Sequence, residues 1–156
     1  MDESIQTRLF RWMMNWWPCY RGVGARVTFI AADWSEVRVR LGLTLRTRNY
    51  VGSIFGGSLY ASVDPFYMIM LIKRLGPDFV VWDKAATIRF LRPGRSTLTA
   101  TFRMDEAETE AIRQILQGQP KVDRTYTVQL VDGKGAVHAE VDKVVHVRRK
   151  DAPSRH

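Results

Sequence analysis

A single carboxylate, Asp64, lies in the middle of the most apolar part of the sequence, residues 54–72. In a buried helix a bare carboxylate is costly, so the group must be paired, hydrogen-bonded, protonated or exposed to a cavity. Pro65 follows it and has no N–H to donate to the carbonyl of Ala61, which perturbs the helix beside the acid. Such a conflict between pattern and chemistry tends to fall at functional sites. The alternative is a structural Asp, either paired with a nearby Arg or facing solvent.

Two glycines, Gly56 and Gly57, stand where this apolar helix is expected to begin. The first N–H groups of a helix have no intrahelical acceptor, and the positive end of the helix dipole lies there. Such an end binds an oxyanion, a carboxylate or a phosphate, and glycine lets a ligand approach the backbone closely. Taken alone, a Gly-Gly pair before a helix is a weak signal.

The three histidines do not indicate a metal site. His138 and His146 lie on the last predicted strand, eight residues apart and among acidic residues, and are predicted to be surface residues. His156 belongs to the C-terminal tail. Metal binding by these side chains is not expected, because their spacing matches no ligand pattern. Cys19 is the one cysteine, so no internal disulfide can form, which fits a reducing compartment.

The elements that position these residues follow from hydrophobic periodicity. Helices are predicted at residues 3–17, about 57–73 and 106–117. Strands are predicted at 26–31, 36–46, 80–91, 96–104, 123–132 and 136–148, the last two joined by a hairpin turn at Asp132-Gly133-Lys134-Gly135. A helix that is apolar on every side has to be wrapped by the sheet. We therefore expect an α+β fold in which a curved antiparallel sheet of five to six strands surrounds one long central helix.

The N-terminal helix, residues 3–17, is predicted to be amphipathic and to end at Pro18. Its apolar positions recur at spacings of four and three: Ile5, Leu9, Met13 and Trp16. This face is expected to dock on the domain or on a partner subunit. Its Trp and Arg content also fits a helix that lies on a membrane surface.

The length of 156 residues predicts one domain. From the predicted elements it is expected at residues 25–148, preceded by the N-terminal helix and linker at 1–24 and followed by a basic tail at 149–156. The net charge of +8 suggests an anionic partner: nucleic acid, a membrane face or a phosphorylated small molecule. A secretory signal is not expected from the first residues. A membrane span through residues 54–72 is rejected because Asp64 would cost about 2.5–3.5 kcal/mol at its centre. A cytoplasmic protein is expected.

The spacing of the polar residues around Asp64 resembles a known family. Asn49, then Phe55-Gly56-Gly57 six residues on, then Asp64 nine after Phe55, is similar to the hotdog-fold acyl-CoA thioesterases of the phenylacetate-degradation type. Their pattern is Asn, a gap, His-Gly-Gly, then an Asp in the central helix. The segment Ile88–Arg95 is similar to that superfamily's strand after the helix, with an Arg-Pro turn. The resemblance covers about residues 25–148 and implies a hotdog fold.

The resemblance also implies the catalytic roles. Asp64 would be the catalytic carboxylate, as a general base for water or as a nucleophile on the thioester carbonyl. The Gly57 N–H would polarise that carbonyl and hold the developing oxyanion, and Asn49 would orient the water or the thioester. No cofactor is implied, because coenzyme A is part of the substrate. Homodimers or homotetramers with active sites at the subunit interface are implied as well.

Four further residues are implied to contact the substrate. Phe55 and Gly56 belong to the glycine motif, and Arg92 and Arg95 lie on a turn where pantetheine or the phosphates of coenzyme A could pass. Phe55 is a departure, since most members have His there. A phenyl ring cannot donate a hydrogen bond or shuttle protons, so this chain resembles a thioesterase-like branch with an aromatic residue at that position.

Three hypotheses follow. The first is a thioesterase acting on an acyl-CoA or acyl-carrier-protein thioester, its acyl group in a tunnel lined by Phe66, Tyr67 and Met70. The second is a non-catalytic acyl-ligand binder on the same fold, with Asp64 only structural. The third is a nucleic-acid or membrane-associating module, suggested by charge and by the Trp-rich N-terminus. Nucleic acid is disfavoured because no helix-turn-helix or metal-finger pattern is present.

Overall fold

The elements of the protein are defined by a computed structural model that describes residues 2–151. The helices are α1 (Ile5–Trp16), α2 (Pro18–Val23), α3 (Gly56–Val63), α4 (Phe66–Leu75) and α5 (Glu106–Gly118). The strands are β1 (Ala25–Ile30), β2 (Glu36–Leu41), β3 (Phe79–Phe90), β4 (Leu98–Arg103), β5 (Lys121–Val131) and β6 (Val137–Arg149). All six predicted strands are present, but β2 ends at Leu41 and not at residue 46, because the chain turns at residues 45–47. The helix α2 was not predicted, because Pro18 was expected only to end α1; it occupies the first position of α2, where its missing N–H costs nothing.

The six strands form one sheet in the order β1-β2-β4-β5-β6-β3, with every neighbouring pair antiparallel. β1 and β3 are the two edges. Alternate residues of the strands point inward, as in β4, where Leu98, Ala100 and Phe102 are buried. They pack on the central helix, which confirms the predicted α+β class and the sheet wrapped around a helix.

The central helix is interrupted in its middle. α3 ends at Val63 and α4 begins at Phe66, while Asp64 and Pro65 keep right-handed helical backbone angles. Pro65 has no N–H to bond back to the preceding turn, so the hydrogen-bond ladder breaks beside the acid, as the sequence indicated. Asp64 therefore lies at the break between α3 and α4.

The side chains expected to line a tunnel fill the core instead. Phe66 and Met70 are fully buried, and Tyr67 donates from its hydroxyl to the Thr127 carbonyl at 3.0 Å and stacks on Tyr126. These three residues pack against the sheet and line none of the clefts described below. The tunnel prediction is therefore wrong for this chain. The error arises because the sequence of a helix that is apolar on every side does not show which face the sheet covers.

α1 packs on β1 through a face other than the predicted one. The Asn15 amide donates to the Val27 carbonyl at 2.9 Å and accepts from the Val27 N–H at 2.8 Å, while Phe10 and Met14 pack against the core. The four predicted contact residues are exposed: Ile5, Leu9, Met13 and Trp16. Docking of that face on the domain is thus wrong, because α1 carries apolar residues on both sides.

The described chain ends just beyond β6. β6 runs through Arg149, so the predicted tail begins one residue inside the sheet. Residues 152–156, which include Arg155 and His156, lie outside the described residues. None of the helices within residues 2–151 is long and apolar enough to cross a membrane.

Candidate functional site

Asp64 is anchored through one carboxylate oxygen. Its Oδ1 accepts a hydrogen bond from the Tyr60 hydroxyl at 2.7 Å and lies 2.6 Å from the Nζ of Lys143. No residue within 2–151 donates to Oδ2. The side chain is 44% exposed. The arrangement fixes the orientation of the carboxylate and leaves one oxygen free to accept a proton or to attack an electrophile.

Lys143 is the group that the sequence reading missed. Its side chain is fully buried on β6, and its Nζ lies 3.1 Å from Asp83 Oδ2 as well as next to Asp64. Burial alone would lower the pKa of Lys143, but the hydrogen bonds to Asp64 and Asp83 outweigh it and raise the pKa above 10.5. The ammonium is therefore charged at neutral pH. It could have been found from sequence, since it alternates with the inward-facing Val141 and Val145.

Asp83 completes a group that we call the Asp64 cluster: Tyr60, Asp64, Asp83 and Lys143. Burial raises the pKa of Asp83, Lys143 opposes this, and the charge of Asp64 adds to it. The Oδ1 of Asp83 is buried and has no hydrogen-bond partner among the described residues. Burial and the hydrogen bond to Asp64 also raise the pKa of Tyr60. The cluster therefore holds one ammonium between two carboxylates, with Tyr60 protonated at neutral pH.

The alternative that Asp64 has a structural role agrees with the structure in part. The sequence left open a pairing with a nearby Arg or exposure to solvent, and the structure has Asp64 paired with a Lys and half-exposed. The cost of the carboxylate in the helix is thus removed by pairing and by the break at Pro65. A paired carboxylate can still react through its free oxygen, so the pairing alone does not separate the two roles.

The glycine pair begins α3 with free backbone donors. The first intrahelical hydrogen bond runs from the Leu59 N–H to the Phe55 carbonyl at 3.1 Å, so the N–H groups of Gly56, Gly57 and Ser58 precede it. No side chain caps this end, because Phe55 occupies the N-cap position. These groups, at the positive end of the helix dipole, can hold an oxyanion.

Each glycine is covered by an aromatic ring. The Phe55 ring lies against Gly57, where an added Cβ would overlap it. An added Cβ at Gly56 would lie 3.1 Å from the Phe90 ring. Both rings are more than half exposed. A larger residue at either position would have to move an exposed aromatic ring, so the two glycines let the rings lie against the start of the helix.

A cleft of about 340 Å³ brings together three of the predicted residues, Asn49, Gly56 and Arg92. The Asn49 amide also closes the turn at residues 49–53, since it donates to the Ser53 hydroxyl at 3.0 Å and accepts from the Ser53 N–H at 3.0 Å. Arg92 is exposed and has no carboxylate partner among the described residues. Arg95 is exposed too and lines neither this cleft nor the next.

A second cleft, of about 400 Å³, lies between α1, α2 and the break in the central helix; we call it the α1–α2 cleft. Its lining is almost wholly apolar apart from the carboxylate: Met13, Met14, Trp17, Cys19, Tyr20, Val23, Ala61, Asp64 and Pro65. The burial of the Tyr20 hydroxyl, which donates to the Ser62 carbonyl, raises its pKa. A carboxylate that faces an apolar cleft is suited to a ligand with a hydrocarbon part and a reactive polar group.

Four of the seven predicted site residues line the two clefts, whereas Gly57, Phe55 and Arg95 line neither. Asn49, Gly56 and Arg92 share the first cleft, and Asp64 lines the second. Gly57 and Asp64 are seven residues apart, which corresponds to about 10 Å along a helix. Within one chain the two groups are therefore two helical turns apart, and only Asp64 lines a cleft.

The histidines differ from their prediction. His138 and His146 lie on the outward face of β6 but are nearly buried, because neighbouring groups cover them. His138 Nδ1 lies 3.1 Å from the Pro93 carbonyl, whereas His146 Nδ1 contacts the Asp123 carboxylate at 2.5 Å and its ring packs on Trp82. Across residues 2–151, no three His, Cys, Asp or Glu side chains are grouped so as to hold a metal ion.

Comparison with solved structures identifies the fold. The chain is similar to PA5026 from Pseudomonas aeruginosa, a protein of unknown function described as a probable thioesterase, with 22% identity, a TM-score of 0.81, and coverage of 96% of this chain and 99% of that one. The thioesterase HI1161 from Haemophilus influenzae matches with 11% identity, a TM-score of 0.68, and coverage of 100% and 97%. At these identities the likeness establishes the fold, which is the hotdog fold that the resemblance implied.

A further match is the PaaI protein from the phenylacetic acid degradation operon of Escherichia coli, with 20% identity, a TM-score of 0.63, and coverage of 94% of each chain. The search of curated proteins gave no match. A family model described as a domain of unknown function, DUF4442, matches residues 6–147. The match begins within α1 and ends within β6, so it includes the N-terminal helices as well as the sheet.

Proposed function

Because the chain belongs to the DUF4442 family and has the hotdog fold of its thioesterase neighbours, we propose that it hydrolyses an acyl-CoA or acyl-carrier-protein thioester. The observation that carries the proposal is the geometry of Asp64. This carboxylate is anchored through Oδ1, is open at Oδ2 and borders an apolar cleft. A thioester combines an apolar acyl chain with an electrophilic carbonyl, and the two parts match the cleft and the carboxylate.

The reaction assigned to Asp64 has two forms. As a general base, Oδ2 takes a proton from water while the water oxygen bonds to the carbonyl carbon; the carbon–sulfur bond then breaks and the thiol leaves with that proton. As a nucleophile, the carboxylate displaces the thiolate to give an anhydride, which water hydrolyses. Tyr60 and Lys143 hold the carboxylate in one orientation in both forms.

The α1–α2 cleft is the proposed binding site for the acyl group. Its walls come from Met and aromatic side chains of α1 and α2 and from Ala61 of α3. Flexible Met side chains accommodate chains of different shape. Replacing Ala61 with Trp would fill the cleft, and the preferred acyl chain is then expected to shorten. A substitution of the same size at the exposed Ala32, which lies outside the cleft, serves as the control.

The oxyanion donor is proposed to come from a second copy of the chain. Gly57 and Asp64 of one chain are two helical turns apart and Gly57 does not line the α1–α2 cleft, so a Gly57 N–H from the partner is proposed to complete the site. β3 offers the means of association, since it is paired along one side with β6 and its other side is open within residues 2–151. A free edge of 12 residues is a template for pairing with another strand.

The cationic part of the first cleft is proposed to receive the carrier portion of the substrate. Arg92 lies there beside Asn49 and Gly56 and has no carboxylate partner among residues 2–151. An unpaired guanidinium suits a phosphate group. Arg95 is three residues further along the same turn and would contact the outer part of the carrier.

Subunit mixing tests the shared site. Asp64→Asn removes the carboxylate. Gly57→Pro removes the proposed donor N–H within the first turn of α3, where no intrahelical hydrogen bond is lost, and the exposed Phe55 ring has to move to admit it. If each site takes Asp64 from one chain and Gly57 from the other, a mixed dimer retains one intact site, so an equal mixture recovers about one quarter of the wild-type rate per subunit. No recovery after verified subunit exchange would place both groups in the same chain's site and contradict the proposed arrangement.

The second candidate is a non-catalytic acyl-ligand binder, favoured by the ion pair of Asp64 with the buried Lys143 and by Phe55 in place of the motif His. In that case Asp64 stabilises the fold and the α1–α2 cleft holds a ligand without cleaving it. Tight binding of acyl-CoA with no hydrolysis across short, long and aromatic acyl groups would favour this candidate. Turnover that depends on Asp64 would exclude it.

A further inference from the structure

The outward face of α1 is an apolar surface without a partner among residues 2–151. We call it the outer α1 face; its large side chains are 38% to 80% exposed: Ile5, Leu9, Trp12, Met13, Trp16 and Trp17. At 100° per residue, the five that lie on α1 fall within an arc of about 100°. The opposite side of the helix holds Phe10 and Met14, which pack on the core. So the helix has two apolar faces, and only one is used by the fold.

On an ordinary protein exterior, large apolar side chains are exposed singly, whereas here six of them are exposed next to one another. Contiguous exposed apolar patches of this kind mark interaction sites. Three of the residues are tryptophans, the side chain enriched where proteins meet the headgroup region of a bilayer.

The charge around the outer α1 face is mainly positive, although Glu3 precedes α1 and Asp64 lines the adjoining α1–α2 cleft. Residues 4–32 contain four arginines and no Asp or Glu. Arg11 pairs with Glu3, and the charge of Arg8 also acts on Glu3, whereas Arg21 and Arg26 have no carboxylate partner among the described residues. The Arg21 guanidinium lies 4.7 Å from the centre of the Trp16 ring, so cation and aromatic group are presented together.

A basic cleft adjoins this face. It has a volume of about 510 Å³ and is lined by Trp16, Arg21, Arg26 and Arg46 among others. Arg21, Arg26 and Arg46 line this cleft without a carboxylate partner among the described residues, so the electrostatic potential there is positive. The cleft therefore favours a phosphate-bearing partner at the edge of the apolar surface.

We propose that the outer α1 face and its arginines dock the protein on an anionic lipid bilayer. The apolar residues enter the boundary between headgroups and acyl chains, and the arginines contact lipid phosphates, which is how interfacial amphipathic helices bind. A second copy of the chain suits this face less well, because it would bring unpaired arginines together. A nucleic acid would contact the arginines but leave the apolar residues exposed.

Docking would bring the α1–α2 cleft to the bilayer surface. Met13 and Trp17 belong both to the outer α1 face and to the lining of that cleft. If the proposed thioesterase function holds, an acyl chain could pass between lipid and cleft without crossing water. Docking itself does not depend on that function, so the test uses no thioester.

The test is sedimentation of the full-length protein with phosphatidylcholine vesicles that contain or lack phosphatidylglycerol. The expected result is binding to the anionic vesicles, weakened by salt, with a blue shift of Trp fluorescence. Trp12→Ser and Trp16→Ser are each expected to weaken binding about tenfold. Arg8→Gln and Arg21→Gln are each expected to weaken it about fivefold.

Two control variants match these changes at other places. Tyr50→Ser alters a fully exposed aromatic residue in the turn at residues 49–53, away from the outer α1 face, and Lys134→Gln removes a cation in the β5–β6 turn. Both are expected to bind vesicles like the wild type. Absence of binding at low salt overturns the proposal, as does an equal loss in the control variants. If the wild type assembles in solution and Trp12→Ser disrupts that assembly, the outer α1 face binds a second copy of the chain, and the proposal is overturned as well.

Discussion

Replacement of Lys143 by Met is the perturbation that probes the Asp64 cluster most sharply. Lys143 is fully buried and has three polar neighbours at 2.6, 3.1 and 3.3 Å: Asp64, Asp83 and Tyr60. Met has a similar volume and no charge, so the change removes the ammonium with little change in packing. It leaves two carboxylates close together with no cation between them.

The stability lost in Lys143→Met follows from the exposure of the two carboxylates. Asp64 is 44% exposed and can regain water, whereas Asp83 is only 22% exposed and its Oδ1 already lacks a partner among the described residues. Removing one member of a buried ion pair typically costs about 3–5 kcal/mol. We expect a loss in this range, dominated by Asp83. That is a large share of a typical unfolding free energy of about 5–15 kcal/mol.

The assay is urea unfolding followed by far-ultraviolet circular dichroism at neutral pH. With a slope of about 2 kcal/mol per molar urea, the midpoint is expected to fall by about 2 M at unchanged slope. The measurement is repeated at several protein concentrations, because association would also shift the midpoint. The double variant Lys143→Met/Asp83→Asn removes the stranded charge and is expected to regain about half of the loss.

The pH dependence gives a second readout of the same ion pair. The folded pKa of Lys143 is raised, so its contribution is fully present below the unfolded value of 10.5 and is lost as the pH rises through the folded value. The gap between wild type and Lys143→Met should therefore be constant near neutral pH and shrink in strong base. A loss below about 1 kcal/mol at neutral pH would refute the reasoning, because it would mean that Asp83 does not depend on Lys143.

Three further changes have defined outcomes. Tyr60→Phe removes the hydroxyl that bonds Asp64, and should lower kcat about tenfold with a stability loss of only about 1 kcal/mol by urea unfolding; an unchanged kcat would contradict its role in orienting the carboxylate. Phe55→His restores the motif residue and should raise kcat/KM for acyl-CoA, so a lower value would show that the ring over Gly57 is needed. Glu108→Gln loosens the contact with Arg124 on β5, whose guanidinium makes hydrogen bonds at 2.8 and 2.6 Å, and should cost about 1–2 kcal/mol. Burial would raise the pKa of Glu108, but these hydrogen bonds outweigh it and lower the pKa. The stability lost in Glu108→Gln should therefore be constant above pH 4.5 and disappear as the pH falls through the folded pKa, which thermal melts at several pH values would measure.

Most of the fold was predictable because its elements are encoded locally. The alternation of Leu98, Ala100 and Phe102 with threonines fixes a half-buried strand, and the Asp132–Gly135 turn fixes the last hairpin. The break in the central helix followed from Pro65 alone. By contrast, the face of α1 that packs on the core was predicted wrongly, because periodicity does not say which of two apolar faces meets the core.

The site was predictable only as far as local signals extend. Asp64 was found from its conflict with an apolar helix, and the glycine pair from its place before that helix. Lys143 and Asp83 were missed. The alternation of Lys143 with Val141 and Val145 marks it as inward-facing, but its contact with Asp64, like that of Asp83, depends on the sheet order. The α1–α2 cleft was also missed, because it depends on how two helices pack over the break.

Hydrolysis of acyl-CoA thioesters by the wild type and by Asp64→Asn tests the central claim most directly. Asn keeps the size of the side chain and removes its basicity, and Asp105→Asn is the matched control because Asn remains a good N-cap for α5. The account predicts turnover of at least one short, long or aromatic acyl-CoA, a loss of about 10²–10⁴ in Asp64→Asn, and no change in the control. Equal rates in the wild type and in Asp64→Asn would contradict it.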